Sequence, residues 1–383
     1  MFHQETGQFV LKVGEVHRFT AAQDVERPER WIQQGIPLEA WRCCFQNYDG
    51  TIFLSGRNKS TDGGRTVVTH NMAGVDKISI LHNMLHPTAP GPEGAVFSRP
   101  GFFLALDGWS HFKLPGVYSL KVWRSADNLR TVEEGEALLK VPPGPRRERE
   151  DGEWFGLFMT RSILEMPDGS LLATGHGNFD EDKIVPHTGA GKSETHYQGR
   201  VFLLSSKDDG ETWEYLSTVA APREGDPVDE GFGEPTLARL ANGQLLCIMR
   251  TGHHRPLHAC WSSDEARTWS EPVYTGLDRG CFPCLVKLGD GRLALTFGVR
   301  FPPGWSCISP EGDHARWRHP GKGLVKLAIN EDGTGQTWTE TVIGTEMGTC
   351  YSTMFETEPN ILFCQVDGWY WRVMLVPKVP DTL

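Results

Sequence analysis

Four residues of chemically useful type fall at matching places in a repeated pattern: Arg42, Arg161, Glu234 and Tyr351. Each opens a short apolar stretch that runs into a tight turn. Charge at a crowded, recurring position is costly unless a ligand or a protein partner satisfies it. Guanidinium groups hold a carboxylate through planar, charge-assisted hydrogen bonds. A phenol, with an ordinary pKa of about 10, is a weak nucleophile until a neighbouring carboxylate takes its proton. These types together suit a site that orients an acidic ligand and offers it an oxygen nucleophile. Ion pairs made purely for structure are the competing reading.

Repeats must position them. One unit is an apolar stretch, an Asp-Gly or Asn-Gly turn and a second apolar stretch: CCFQNYDGTIFLSG around Asp49, SILEMPDGSLLATG around Asp168, TLARLANGQLLCIM around Asn242 and CLVKLGDGRLALTF around Asp290. Weaker copies surround Asp107 and Asn360. Each reads as a β-hairpin closed by a two-residue turn, since Asp-Gly and Asn-Gly tolerate the positive φ such turns need. A second unit, Ser-x-Asp-x-Gly-x-Thr-Trp, follows most hairpins. Its best copy spans Ser206, Asp208, Gly210, Thr212 and Trp213. Further copies start at Ser262 and at Asn330, with a degenerate one at Ser125. Ser and Asp bond turn amides, Gly takes the awkward φ, and Trp packs between sheets. The coarse expectation is an all-β, six-bladed β-propeller of four-stranded blades forming one domain over 1–383, with inner strands starting near Arg42, Gly101, Arg161, Glu234, Phe282 and Tyr351. Phe9–Val13 is expected to close the last blade as its outer strand.

Composition bounds the function. No run of 18 apolar residues occurs, so no membrane span is expected, and the N-terminus lacks the pattern of a secretory leader. A net charge of −11 with no basic block argues against a nucleic-acid partner. The 9 cysteines are odd in number and scattered, which points to a reducing, cytoplasmic compartment rather than a disulfide framework. Cys281 and Cys284 form a single CxxC with no second pair, and small buried hydrophobes are the better reading than a zinc site. The 43 glycines and 13 tryptophans suit a turn-rich β protein with aromatics between its sheets.

The Ser-x-Asp-x-Gly-x-Thr-Trp units are the Asp-box signature, and with the hairpins they make the chain resemble the sialidase (neuraminidase) superfamily of BNR-repeat propellers, in particular the retaining exo-α-sialidases of glycoside hydrolase family 33. The resemblance covers nearly the whole chain and rests on two further motifs. Glu234, in GFGEPTLARL, precedes Arg250 by sixteen residues, and Tyr351 lies in GTCYSTM, thirteen residues after Trp338. It implies that Tyr351 is the nucleophile, that Glu234 accepts its proton, and that Arg42, Arg250 and a third arginine hold the carboxylate of a sialylated or other acidic glycan. No metal or organic cofactor is implied. Sialidases with a Tyr nucleophile are a known exception to the two-carboxylate scheme.

Two positions stay open at this level. Asp62 is favoured as the general acid, because the third strand of the first blade reads most naturally as starting at Arg65, which leaves Asp62 between the second and third strands; the rival is a turn-forming Asp in the box-like Ser60–Thr66. Asp180 and Asp182 are fallback acids. For the third arginine Arg318 is favoured over Arg316, Arg300 and Lys322, the last of which would bind a carboxylate only as a point charge. His253, His254 and His258 suit subsite hydrogen bonding better than a metal. Asp226, Asp229 and Glu230 read as a solvated acidic loop, and Trp305 and Trp369 as packing or sugar-stacking residues. The expected function is a retaining exo-α-sialidase-type glycoside hydrolase. The rivals are a uronic-acid-directed hydrolase or lyase and a non-catalytic glycan- or protein-binding propeller. Oligomeric state has no signal in the sequence.

Overall fold

The computed structural model describes residues 2–6, 9–18, 44–54, 58–69, 94–144, 147–148, 154–184, 197–228, 230–252, 255–299, 323–347, 351–366 and 369–377. All regular structure among them is β. β1 (Phe2–Thr6), β2 (Phe9–Val13) and β3 (His17–Arg18) lead into a first four-stranded sheet of β4 (Cys44–Gln46), β5 (Ile52–Leu54), β6 (Asn58–Ser60) and β7 (Val68–Thr69). Nine strands follow: β8 (Gly94–Arg99), β9 (Phe102–Leu114), β10 (Val117–Ser125), β11 (Glu133–Lys140), β12 (Arg147–Glu148), β13 (Trp154–Glu165), β14 (Leu171–Gly177), β15 (Arg200–Ser206) and β16 (Thr212–Ala220). Two four-stranded sheets come next, β17 (Gly233–Arg239) to β20 (Val273–Tyr274) through β18 (Leu245–Arg250) and β19 (His258–Ser262), then β21 (Cys281–Lys287), β22 (Leu293–Val299), β23 (Gly323–Asn330) and β24 (Thr339–Met347). The last strands are β25 (Ser352–Glu358), β26 (Ile361–Val366) and β27 (Trp369–Pro377). No described helix is long and apolar enough to cross a membrane.

The six separate four-stranded blades expected from the repeats are not what forms. β8 to β16 make one nine-stranded sheet in which β13, β14, β15, β16, β11, β10, β9 and β8 close on themselves as a barrel of eight strands. Three pairings cause this. β11 runs parallel to β16 at Leu138–Thr212 and Leu139–Trp213, and β13 pairs with both β8 and β9. At 13 and 12 residues, β9 and β13 are long enough to reach past their hairpin partners and bond across. Closure leaves no bare edge between the two hairpin sets. The first-strand start expected near Gly101 also moves: Gly101 sits in the turn between β8 and β9, while Asp107 is buried within β9 and closes no hairpin. At the chain ends, β2 lies antiparallel to β27 from Phe9–Pro377 to Val13–Val373, with β1 beyond it.

The Asp-Gly and Asn-Gly turns are three-residue loops rather than two-residue ones. Met166 N–H bonds Ser170 O at 2.7 Å and Gly169 N–H bonds Met166 O at 2.9 Å, and the loops at Asp49, Asn242 and Asp290 repeat the pattern. Only the glycine is left-handed, with φ of 84° at Gly50 and Gly169, 89° at Gly243 and 93° at Gly291. This is a type I turn followed by a bulge glycine. The preceding Asp or Asn caps the next amide, as Asp168 Oδ1 accepts from Ser170 N–H at 3.0 Å.

Second strands are buried on both faces, which explains their unbroken apolar runs: every residue of Leu245–Arg250 and of Leu293–Val299 is buried. The core lies between neighbouring sheets, where Trp123, Trp213 and Trp371 are fully enclosed. Leu11 and Val13 of β2 join Trp371, Leu375, Leu327 and Ile343 in one of these cores. The first strands β13, β17, β21, β25 and β4 contact one another in that order. They surround the site.

Candidate active site

Three of those first strands carry a β-bulge at the same place, seen as register breaks at Met159/Ile163, Gly233/Thr236 and Cys281/Cys284. The bulge residues are left-handed although none is glycine: Arg161 at φ 50°, Glu234 at 44° and Phe282 at 46°. A left-handed L-residue costs about 1–2 kcal/mol, so the repetition marks side chains that need that aim. Here all three turn toward the shared centre and meet there.

Glu234 is the hub. Its Oε1 accepts from the Tyr351 hydroxyl at 2.9 Å and from Arg250 Nη1 at 2.6 Å, and its Oε2 accepts from the Phe282 N–H at 2.7 Å. An ionised carboxylate, acceptor only, is the form that matches three donors. The hairpin register explains the Glu/Arg neighbourhood, because Gly233 pairs with Arg250 across β17 and β18. Tyr351, immediately before β25, is 2% exposed, Glu234 5% and Arg250 7%. Burial by itself would lower the Arg250 pKa, but the carboxylates of Glu230 and Glu234 override it and hold that pKa well above its ordinary value.

Glu230 belongs to this site. Arg250 Nη2 donates to Glu230 Oε2 at 2.8 Å. The backbone places it: Gly199 N–H bonds Glu230 O at 2.9 Å and Phe232 N–H bonds Gly199 O at 2.8 Å. A Cβ on Gly231 would stand 2.3 Å from Gly199 O, so only glycine permits this approach. Glu230 therefore sits on the guanidinium and not in the solvated acidic loop expected from the sequence, whereas Asp226 caps the exposed Arg223 N–H at 2.7 Å. Its one sequence signal is an acid four residues before Glu234.

Arg161 and Phe282 complete the centre. The Arg161 guanidinium lies 3.9 Å from the Phe282 ring centroid, and that ring stacks on Tyr351 at 4.4 Å and 22°. Arg161 also donates to Ser352 O, to Thr353 Oγ1 at 3.3 Å and to Phe282 O at 3.4 Å. This charge at the crowded centre is thus spent on backbone carbonyls of β21 and β25.

Asp62 is elsewhere. β6 is the third strand of its sheet, so Ser60–Thr66 follows the third strand. Ser60 Oγ donates to Asp62 Oδ1 at 2.8 Å, Gly64 N–H to Ser60 Oγ at 2.8 Å and Thr66 N–H to Asp62 Oδ1 at 2.9 Å. Ser125/Asp127, Ser206/Asp208 and Ser262/Asp264 make the same bonds at 2.8–3.0 Å. The turn packs on Thr357, Glu358 and Phe363, with Arg65 bonded to Glu358 at 2.7 Å. Glu358 ends the strand that Tyr351 precedes, seven residues away, or roughly 20 Å of extended chain. Both Asp62 oxygens serve this turn.

Asp182 accepts from Phe179 N–H at 2.7 Å and Arg200 Nε at 2.8 Å, a buried structural pair, and Asp180 is exposed. His258 Nδ1 lies 3.2 Å from Pro256 O, and Trp369 is exposed on β27. Cys281 and Cys284 are buried on β21. Arg42, Arg300, Arg316, Arg318, Lys322, Asp229, His253, His254 and Trp305 lie outside the described residues.

A family model described as a BNR repeat-like domain matches residues 107–362, more than half of the chain. The chain belongs to the BNR repeat-like domain family. No curated protein matches this BNR repeat-like chain. Among solved structures it is similar to a Dyadobacter fermentans protein of unknown function, at 17% identity and a TM-score of 0.59, over 95% of this chain and 99% of that one. It is also similar to the Hadza microbial sialidase Hz136, at 17% identity and 0.53, covering 88% of this chain but 66% of that one. The NanB sialidase of Streptococcus pneumoniae matches at 11% identity and 0.50, over 88% and 68%. At these identities the likeness is one of fold.

Proposed function

We propose that this BNR repeat-like protein is a retaining glycoside hydrolase of sialidase type, with Tyr351 as nucleophile and Glu234 as its proton acceptor. One observation carries the reading: a buried phenol donates at 2.9 Å to a carboxylate oxygen that a guanidinium also holds. In the first step the Tyr351 oxygen bonds to the anomeric carbon, the bond to the leaving oxygen breaks, that oxygen keeps the electron pair and takes a proton from solvent, and the phenol proton passes to Glu234. Arg250 shares the accepting oxygen and weakens it as a base, so proton transfer accompanies bond formation rather than preceding it. In the second step water attacks the same carbon, Glu234 returns its proton to the departing Tyr351 oxygen, and the proton lost by water goes to solvent. Two displacements retain configuration. An uncharged nucleophile also escapes the repulsion that a carboxylate would meet beside an acidic sugar. The sialidase names among the structural neighbours support the substrate class by analogy alone.

A second reading has its own observation. Glu230 and Glu234 sit on the two terminal nitrogens of one guanidinium, side by side as the carboxylates of a two-carboxylate retaining glycosidase are. An aryl glycoside separates the two readings, because its leaving group departs without an acid. With a panel of aryl α-sialosides, uronides and neutral glycosides, Tyr351→Phe is expected to lose turnover on the α-sialoside by at least about 10²-fold. A slowly released fluorinated sugar should leave its mass on the peptide holding Tyr351. Full activity of Tyr351→Phe with the mass on Glu230 or Glu234 establishes the second reading, and an unsaturated product replaces hydrolysis with elimination.

A further inference from the structure

We propose that Phe282 is a positioning residue that sets the Tyr351 phenol and the Glu234 carboxylate in register with each other, holding the first with its ring and the second with its own backbone N–H. The inference rests on Tyr351 being the nucleophile. Both contacts come from one residue. The Phe282 ring stacks on the Tyr351 ring with centroids 4.4 Å and planes 22° apart, and the Phe282 N–H donates to Glu234 Oε2 at 2.7 Å. Tyr351 in turn donates to Glu234 Oε1 at 2.9 Å. Nucleophile, proton acceptor and Phe282 thus close a triangle, and moving any corner disturbs two contacts.

The backbone is bent to make this triangle. Phe282 sits in the bulge of β21 at φ 46°, as Glu234 sits in the bulge of β17 at 44°. In both strands the next residue is proline, Pro283 and Pro235. A residue before proline favours extended backbone, so a left-handed φ there is doubly costly. Proline also removes the N–H that a bulge would leave off the ladder. Strain of this kind persists only where the surroundings over-determine it. For Glu234 the aim serves the proton. Phe282 carries only a hydrocarbon side chain, 1% exposed, and what its ring meets is the phenol. Core packing alone needs no such turn: Phe297 on β22 is fully buried in an unbroken strand register. The stack confines the phenol ring to one plane and closes one of its faces, so a sugar reaches the oxygen from elsewhere. An attacking atom must lie about 3–3.5 Å from the carbon it attacks, and a misplacement of about 1 Å costs about 10²-fold in rate.

The test is made in the full-length protein. Phe282→Leu keeps the backbone N–H and removes the stack. Its kcat on an aryl α-sialoside is expected to fall about 10- to 100-fold with KM within about threefold, and labelling of Tyr351 by the fluorinated sugar should slow by the same factor. Phe282→Met fills a similar volume without a flat face and should be as slow, whereas Phe282→Tyr restores the face and should recover most of the loss. NMR of ring-labelled tyrosine, with Tyr351→Phe identifying the signal, should show faster flipping of the Tyr351 ring in the Leu and Met variants than in the parent. Parent-like kcat in a folded Phe282→Leu protein, or a loss carried by KM instead of kcat, overturns the proposal. Should Phe282→Leu fail to fold, the same result in Phe282→Met overturns it equally. A parent without glycosidase turnover sinks the nucleophile reading alone. Ring flipping then still decides whether Phe282 holds the phenol, and a parent-like rate in both variants overturns that hold.

Discussion

Arg250 stays charged in a buried place because two carboxylates surround it, so its neighbours are coupled energetically as well as chemically. Glu234→Ala removes the more buried of the two and leaves Arg250 with Glu230, itself partly exposed. Breaking such a pair on one side costs about 3–5 kcal/mol, and the surviving Glu230 bond puts the expected loss near 3 kcal/mol in urea denaturation. The double variant Glu234→Leu with Arg250→Met should recover much of that loss while remaining inactive, since a buried pair replaced by apolar groups of similar size is often neutral. At this scale the sequence was partly legible. The spacing of Glu234 and Arg250 follows from one hairpin, which is local. Glu230 was not legible as a site residue, because what brings it to Arg250 is the approach of Gly231 to Gly199, two backbones with no side-chain signal. Asp62 read as an acid ahead of a turn residue because β5 and β6 are only three residues each, too short to count strands by pattern, which put the third strand at Arg65 instead of Asn58–Ser60.

The Ser-x-Asp turns set the behaviour of the elements. Two of them force a non-glycine residue into the left-handed region, Leu129 at φ 64° and Ala266 at 65°, where the others have Gly64 and Gly210. Ala266→Gly should therefore stabilise the protein by about 0.5–1 kcal/mol, and Gly210→Ala should destabilise it by at least about 1 kcal/mol. The second variant also drives a Cβ to 2.5 Å from Leu104 Cδ2. Chemical denaturation of both gives opposite signs if the turn geometry governs. Acid sensitivity belongs here too. Burial opposes ionisation of Asp62, but bonds from Thr66 and Ser60 outweigh it and hold its pKa at about 2. Thr131 and Ser125 hold Asp127 at about 2, and Thr268 and Ser262 do the same for Asp264. A carboxylate depressed on folding contributes stability in full above its unfolded pKa of about 4, and the contribution disappears as pH falls through its folded value. Melting temperature should thus drop between about pH 4 and pH 2, and Asp127→Asn with Asp264→Asn should flatten that decline.

Across the whole molecule, chain ends and distant strands are joined by pairings with no local trace. β2 reaches β27 over the length of the chain, and Leu11 lies at 0% exposure among Trp371, Leu375 and Leu327. Leu11→Ala is expected to cost about 2–5 kcal/mol, measured as a shift of the urea midpoint at constant slope, despite its place near the N-terminus. A loss below about 0.5 kcal/mol would mean that the N-terminal strand is peripheral. The barrel of eight strands is the other long-range result: expecting separate sheets was reasonable from regular hairpins, and the parallel pairing of β11 with β16 overturned it.

By itself the sequence determined that the chain is all β, that turns fall at Asp49, Asp168, Asn242 and Asp290, and that Glu234 and Arg250 are neighbours. These depend on interactions within a turn or a hairpin, whose side chains and spacing are written in consecutive residues. Only the tertiary structure decided that two hairpin sets fuse into one closed sheet, that Glu230 joins Arg250, and that Arg161 spends its charge on β21 and β25. Backbone hydrogen bonds between remote strands are nearly indifferent to side-chain identity, so which edges meet is settled by strand length and packing after the local pieces have formed.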